Sequence, residues 1–147
     1  KDSAWAAPKG AASPRVPLDQ YKANLLYLIA ELRKPGAVPV LFTPNPLAWT
    51  PLLLEMYGKP PYDISSHTGF NLLLDQYAET MRRVAAEERV PLVDTRAGLM
   101  QLAERAGIEN LLLDGMHPND TAHRFIADRL LECLSPLLSD GNADRAP

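Results

Sequence analysis

Two short apolar runs, Val38-Pro-Val-Leu-Phe-Thr43 and Pro91-Leu-Val-Asp-Thr95, each follow a segment with the period of an amphipathic helix. This alternation narrows the available folds more than any other feature of the chain. A strand that is apolar on both faces must be covered on both. Parallel strands need a crossover connection, which is usually a helix. Upstream of the first run, Leu18, Tyr21, Leu25, Leu28, Ile29 and Leu32 form one apolar stripe. Pro35-Gly36 closes that helix, because Pro cannot continue it. Pro39 has no N–H for a ladder, so the first part of its run belongs at the strand entrance. Between the two runs, Phe70, Leu73, Leu74, Tyr77, Met81, Val84 and Ala85 form a second stripe. A helix over Gly98–Ala106, closed by Gly107, follows the second run. A last helix from about Asn119 carries Ala122, Phe125, Ile126, Leu130, Cys133, Leu134 and Leu137 on one face.

Helix, strand, helix, strand, helix predicts an α/β domain with a parallel sheet between helical layers. Two strands are too few for such a sheet, so the pattern reads as the C-terminal half of an α/β domain. The 147 residues suit one domain, placed at 1–138, with a loop over 1–17 and a polar, frayed tail over 139–147. Residues 47–68 are rich in proline and carry Trp49, Tyr57 and Tyr62. So long a connection is often functional. Its aromatics either wall a substrate pocket or pack the loop itself.

Composition removes several function classes. The net charge is −3, with no basic stripe for nucleic acid and no polybasic patch for a membrane surface. No apolar run reaches the roughly 18 residues that span a bilayer. No signal-peptide core is evident in the first residues, which favours the cytoplasm. A single cysteine, Cys133, excludes an internal disulfide and a multi-cysteine metal site, and its place on an apolar face reads as a buried inert thiol.

Chemistry concentrates in Leu111-Leu-Leu-Asp-Gly-Met-His-Pro-Asn-Asp120. An apolar run ends in Asp114, Gly115 makes the turn, His117 follows three residues after the Asp, and a helix starts at once. A carboxylate so placed can fix the tautomer of an imidazole, whose other nitrogen then takes a proton from an attacking hydroxyl. The bland alternative is a turn histidine with an Asp that only caps. Asn119 and Asp120 read as helix-start residues. His123 reads as a surface residue. A metal cluster of Asp114, His117, Asp120 and His123 has no familiar zinc spacing and is set aside. His67 lies in a polar loop. Asp94 could reach a site but reads more simply as a cap for the next helix. Arg82-Arg83, between Glu79 and Glu87, reads as a solvated face with ion pairs.

The chain resembles the SGNH (GDSL-type) hydrolases, and within them the isoamyl-acetate-hydrolysing esterase-like branch. Asp114-Gly-Met-His117-Pro-Asn is similar to the family's last block, Asp-x-x-His. Val16-Pro-Leu-Asp-Gln-Tyr-Lys-Ala-Asn-Leu25 and Val40-Leu-Phe-Thr-Pro-Asn-Pro46 resemble the helix and strand that follow its Gly-x-Asn-Asp block. The resemblance implies a three-layer α/β/α, flavodoxin-like fold and a serine ester hydrolase acting on small-molecule acyl or acetyl esters. Asp114 and His117 would be catalytic, with no metal or organic cofactor. Lys1-Asp2-Ser3-Ala4 falls at the family's Asn-Asp-Ser-Ala, which puts Lys1 at the oxyanion asparagine. The serine block and the oxyanion glycine would then lie upstream of Lys1, with the early strands, and Ser3 is not read as the nucleophile. These departures imply a chain that is inactive and poorly stable alone, with the missing N-terminal half as its partner. The alternative is a degenerate scaffold that binds a ligand or partner along its open sheet edge.

Overall fold

Leu41 and Phe42 pair in parallel with Leu92 and Val93, in the register Leu41 to Leu92 and Phe42 to Val93. A computed structural model describes residues 13–143. In chain order it contains α1 (Leu18–Arg33), β1 (Leu41–Phe42), α2 (Pro51–Tyr57), α3 (Leu72–Glu88), β2 (Leu92–Val93), α4 (Thr95–Ala106) and α5 (Asp120–Ala143). Residues 1–12 of the loop expected over 1–17, with Lys1 and Ser3, lie outside the described residues. Both strands are shorter than the apolar runs that contain them. Prolines explain part of this, since Pro39 and Pro91 donate no hydrogen bond. Pro91 contributes its carbonyl instead, accepting from Leu41 N–H at 2.9 Å, and Thr43 N–H reaches the Val93 carbonyl at 3.2 Å.

Helices cover the strand pair from both sides. Leu25 and Ile29 of α1 meet Met81 and Val84 of α3 and Val90 in one core cluster, with Leu41 and Leu92 packed against it. Neighbouring strand residues point to opposite faces. Val93, 3% exposed, therefore faces away from that cluster, and α5 packs on β2 there. A second cluster joins Leu99 of α4, Leu111 and Ala122 of α5, with Ile108, Phe125 and Ile126 around it. Gly98 makes this packing close, because a Cβ there would stand 2.7 Å from the Phe125 ring. The architecture is thus the layered α/β arrangement read from the alternation.

Two expectations change. Residues 47–68 are not a plain loop, because they contain α2. Thr50 caps it by accepting from Leu53 N–H at 3.3 Å, and Pro51 takes the first helical position, where a missing N–H costs nothing. The aromatics of this stretch pack the loop itself. Trp49 stacks on Phe70 with centroids 4.4 Å apart, and Tyr57 and Tyr62 also contact Phe70. At the other end, α5 continues through Ser139 to Ala143, so the segment read as a frayed tail is helical in its first part. The expected apolar face of α5 holds: Ala122 is buried, and Phe125, Ile126, Leu130, Cys133, Leu134 and Leu137 are half-buried.

Candidate active site

After Leu111 and Leu112, a tight turn reverses the chain before α5. Leu113 N–H donates to the His117 carbonyl at 2.7 Å, and Leu112 bridges Pro118 in antiparallel fashion. Gly115 makes the reversal with φ +86°. A side chain is doubly disfavoured there: the conformation is left-handed, and a Cβ would lie 2.6 Å from the Ala48 carbonyl oxygen. Asn119 then starts α5, its Oδ1 accepting from Thr121 and Ala122 N–H groups. This is the capping role expected of it.

Within the turn, His117 Nδ1 lies 2.8 Å from Asp114 Oδ2. The other carboxylate oxygen, Oδ1, accepts from the backbone N–H groups of Met116 and His117, both at 2.9 Å. The His117 side-chain and backbone hydrogen bonds, with that of Met116, hold the Asp114 carboxyl at about 2, well below its ordinary value. An ionised carboxylate only accepts hydrogen bonds. Nδ1 is therefore the donor to the carboxylate, which leaves Nε2 as the lone-pair nitrogen of the neutral ring. The His117 side chain is 73% exposed, so Nε2 is open to a proton donor from outside. The pair can thus act as an oriented general base. Among the described residues, no hydroxyl or thiol is hydrogen-bonded to the His117 ring.

The loop after β1 clamps this turn from the side. Asn45 Nδ2 donates to the Met116 carbonyl at 2.8 Å, and Ala48 N–H donates to the Gly115 carbonyl at 2.9 Å. The sequence alone assigns Asn45 no role. Two prolines flanking an amide side chain were the available signal for a stiff, hydrogen-bonding loop.

The remaining candidates fall elsewhere. Asp94 caps α4 through Ala97 N–H at 3.1 Å, as expected. It also accepts from Thr43 Oγ1 and from two nitrogens of Arg82, at 2.8, 2.7 and 3.1 Å. Arg82 is thus not simply on a solvated face: it folds onto the end of β2, while Glu87 pairs with Lys22. His67 lines a cavity of about 290 Å³ under the long loop, with Thr68, Asn71 and Met100. His123 is exposed on α5. Among the described residues, no three His, Cys, Asp or Glu side chains gather as metal ligands, and no helix is long and apolar enough to cross a membrane.

Comparison with known proteins bears on the family and the fold. No curated protein matches the chain by sequence. Among solved structures, the chain is similar to an acetylxylan esterase from Geobacillus stearothermophilus, with 25% identity and a TM-score of 0.60 over 81% of this chain and 48% of the other. Its fold is also that of an alpha/beta hydrolase enzyme from the metagenome of Lake Arreo, Spain, at 24% identity and a TM-score of 0.60, over 82% of this chain and 48% of the other. The chain therefore spans about half the length of the solved structures it matches. The model of the GDSL-like lipase/acylhydrolase family matches residues 11–125. With that match over most of its length, the chain belongs to the GDSL-like lipase/acylhydrolase family.

Proposed function

We propose that this chain supplies the Asp–His half of a serine ester hydrolase acting on short acyl or acetyl esters. The observation that carries the reading is the 2.8 Å bond from His117 Nδ1 to Asp114 on an exposed turn. A purely capping aspartate has no need of a histidine ring held in one tautomer. In the reaction, Nε2 takes the proton of a serine hydroxyl as its oxygen attacks the ester carbonyl carbon. The tetrahedral intermediate then expels the alcohol, which leaves with the proton from Nε2. Water, activated by the same nitrogen, releases the acid from the acyl-enzyme. Asp114 stabilises the imidazolium at each stage without taking its proton, consistent with a carboxyl that stays ionised far below neutral pH.

We place the serine and the oxyanion donors outside the described residues. Catalytic mutants of the Geobacillus esterase replace a serine in one case and an aspartate in another by alanine. The positions of those two residues are further apart than this chain is long. That relative acts on acetylated xylan by its name, which favours acetyl esters, sugar-borne ones included, as the substrates here. A partner strand has a place to sit: β1 pairs only with β2 among the described residues, and Phe42 and Val38 are exposed.

A second reading is a scaffold without turnover that binds a partner along that edge. It is favoured by the lack of any hydroxyl on the His117 ring among the described residues. An assay with p-nitrophenyl acetate separates the two, run on 1–147 and on a form extended upstream in its native gene. The expected result is hydrolysis only by the longer form, with His117→Ala lowering kcat on the order of 10³-fold or more. Inactivity of both forms would favour the scaffold. Turnover by 1–147 that survives His117→Ala would remove the proposed role of the pair.

A further inference from the structure

The turn that holds Asp114 and His117 is exposed, yet the loop that clamps it is anchored in the interior. Residues 45 and 48 of that loop face the turn, through Asn45 Nδ2 to the Met116 carbonyl and Ala48 N–H to the Gly115 carbonyl. Leu47, between them, is gripped from the other side. Its N–H donates to Asn71 Oδ1 and its carbonyl accepts from Asn71 Nδ2, both at 2.8 Å. One side-chain amide thus satisfies both backbone groups of one residue, as a neighbouring strand would. That grip fixes the loop's height and rotation together.

Asn71 itself is 1% exposed and cannot turn. Arg96 Nη1 donates to its Oδ1 at 3.2 Å, which also decides the amide's orientation, because only the oxygen can accept there. Arg96 is 5% exposed and fixed at two points. Its backbone N–H donates to Thr43 Oγ1 at the end of β1, and its Nε donates to Asp75 Oδ1 of α3 at 2.6 Å. A rigid path therefore runs from the end of β1 and from α3, through Arg96, Asn71 and Leu47, to the two hydrogen bonds on the turn.

We propose that Asn71, oriented by Arg96, is a positioning residue for the Asp114–His117 pair, acting through loop 44–50. It touches neither member of the pair. Its role is to hold the Met116 and Gly115 carbonyls so that the N–H groups of Met116 and His117 stay aimed at the Asp114 carboxylate. The proposal rests on reading Asp114 and His117 as the working pair, but its test needs no turnover. Failure of the test leaves ester hydrolysis standing, and inactivity toward esters leaves the test unaffected.

The experiment is an NMR titration of the Asp114 carboxyl in 1–147, with folding followed in the amide spectrum. Wild type, Asn71→Ala, Asn45→Ala and Val84→Ala are compared. Val84 is fully buried in the α1–α3 cluster and has no part in the path, so it reports general destabilisation. In wild type the carboxyl is expected to titrate well below its ordinary value. In Asn71→Ala and Asn45→Ala its proton affinity is expected to rise about tenfold, one pH unit, toward the ordinary 3.8. In Val84→Ala it is expected to stay, although thermal stability falls. An unchanged titration in folded Asn71→Ala overturns the proposal, as does an equal change in Val84→Ala. If Asn71→Ala does not fold, Arg96→Lys decides by the same criterion, since it keeps a cation near Asp75 and loses the Nη1 contact to Asn71.

Discussion

Asp94 and Asp114 occupy matching places in the chain. Each ends an apolar run, each uses one carboxylate oxygen to accept backbone N–H from the residues just beyond it, and each precedes a helix. Their partners separate them. Asp94 accepts from Thr43 and from a two-nitrogen fork of Arg82, a cation that never gives up its proton in the working range. Asp114 accepts from the imidazole of His117, a ring that pairs one donor nitrogen with one acceptor nitrogen. Asp94 is the more covered of the two, with a side chain 30% exposed against 55% for Asp114. The same local device therefore locks a strand end to a helix in one place and presents an oriented base in the other. What separates the two aspartates here is the chemistry of the neighbour each one accepts from.

The largest stability effect that follows is at Asp94. Asp94→Ala removes a helix cap, about 1 kcal/mol. It also strands the Thr43 hydroxyl and the Arg82 guanidinium, about 2 kcal/mol more. A loss of about 3 kcal/mol in urea unfolding is expected, with little change in the NMR signals of His117. A loss below about 1 kcal/mol would erase the contrast, because Asp94 would then be as dispensable to the fold as an exposed carboxylate. Gly115→Ala tests the other turn. The positive φ and the contacts with Ala48, Thr50 and Leu53 predict a loss of about 2 kcal/mol. Here the His117 signals should move strongly, since the turn must open to admit a methyl group.

Acid titration sharpens the comparison further. Burial pushes the Asp94 carboxyl up, but Arg82, the Ala97 N–H and the Thr43 hydroxyl together pull it below its ordinary value. Asp114 is pulled down to about 2, chiefly by its hydrogen bonds from His117. Both folded values lie below the unfolded ones, so each carboxylate contributes stability that is full above about pH 4. That contribution is lost as pH falls through the folded value. Unfolding midpoints measured from pH 7 down to pH 2 should fall in this window. Asp94→Asn should flatten the fall more than Asp114→Asn, because exposed charges are screened by solvent. The reverse order would mean that the exposed turn contributes more to the fold than the strand-end lock.

Much of this was legible in the sequence, and the limits have physical reasons. The stripes of α1, α3 and α5 appear in the helical period because each buries one face. The parallel pair could be read from runs that are apolar on both sides. The Asp114–His117 pair was visible because its members are three residues apart on one turn. The role of Asp94 as a cap was visible for the same local reason, but its pairing with Arg82 was not, since it joins α3 to the end of β2. Asn71 and Arg96 carry no local signal at all. An asparagine before a helix reads as a cap, and an arginine in a first helical turn reads as solvated. Their burial is decided by loop 44–50, which is distant in sequence. α2 was missed because its seven residues are too few to show a period, although Thr50-Pro51 held the start signal.

The smallest effect tests how the sequence reading of the Arg82 face fails. Glu79 lies 3.3 Å from Arg82 Nη1 on the same helix, with its side chain 60% exposed. An exposed pair of this kind contributes roughly 0.3 kcal/mol and weakens in salt. Arg82 Nε and Nη2 are meanwhile committed to Asp94. Glu79→Gln is therefore expected to change unfolding stability by no more than about 0.5 kcal/mol, and to leave the acid dependence attributed to Asp94 in place. A double-mutant cycle with Arg82→Gln should give a coupling near zero for Glu79 and a larger one for Asp94. If Glu79 instead coupled to Arg82 as strongly as Asp94 does, the solvated ion-pair face would be the better description. The lock at the end of β2 would then depend on a helix-surface charge, and the two aspartates would differ less than their partners suggest.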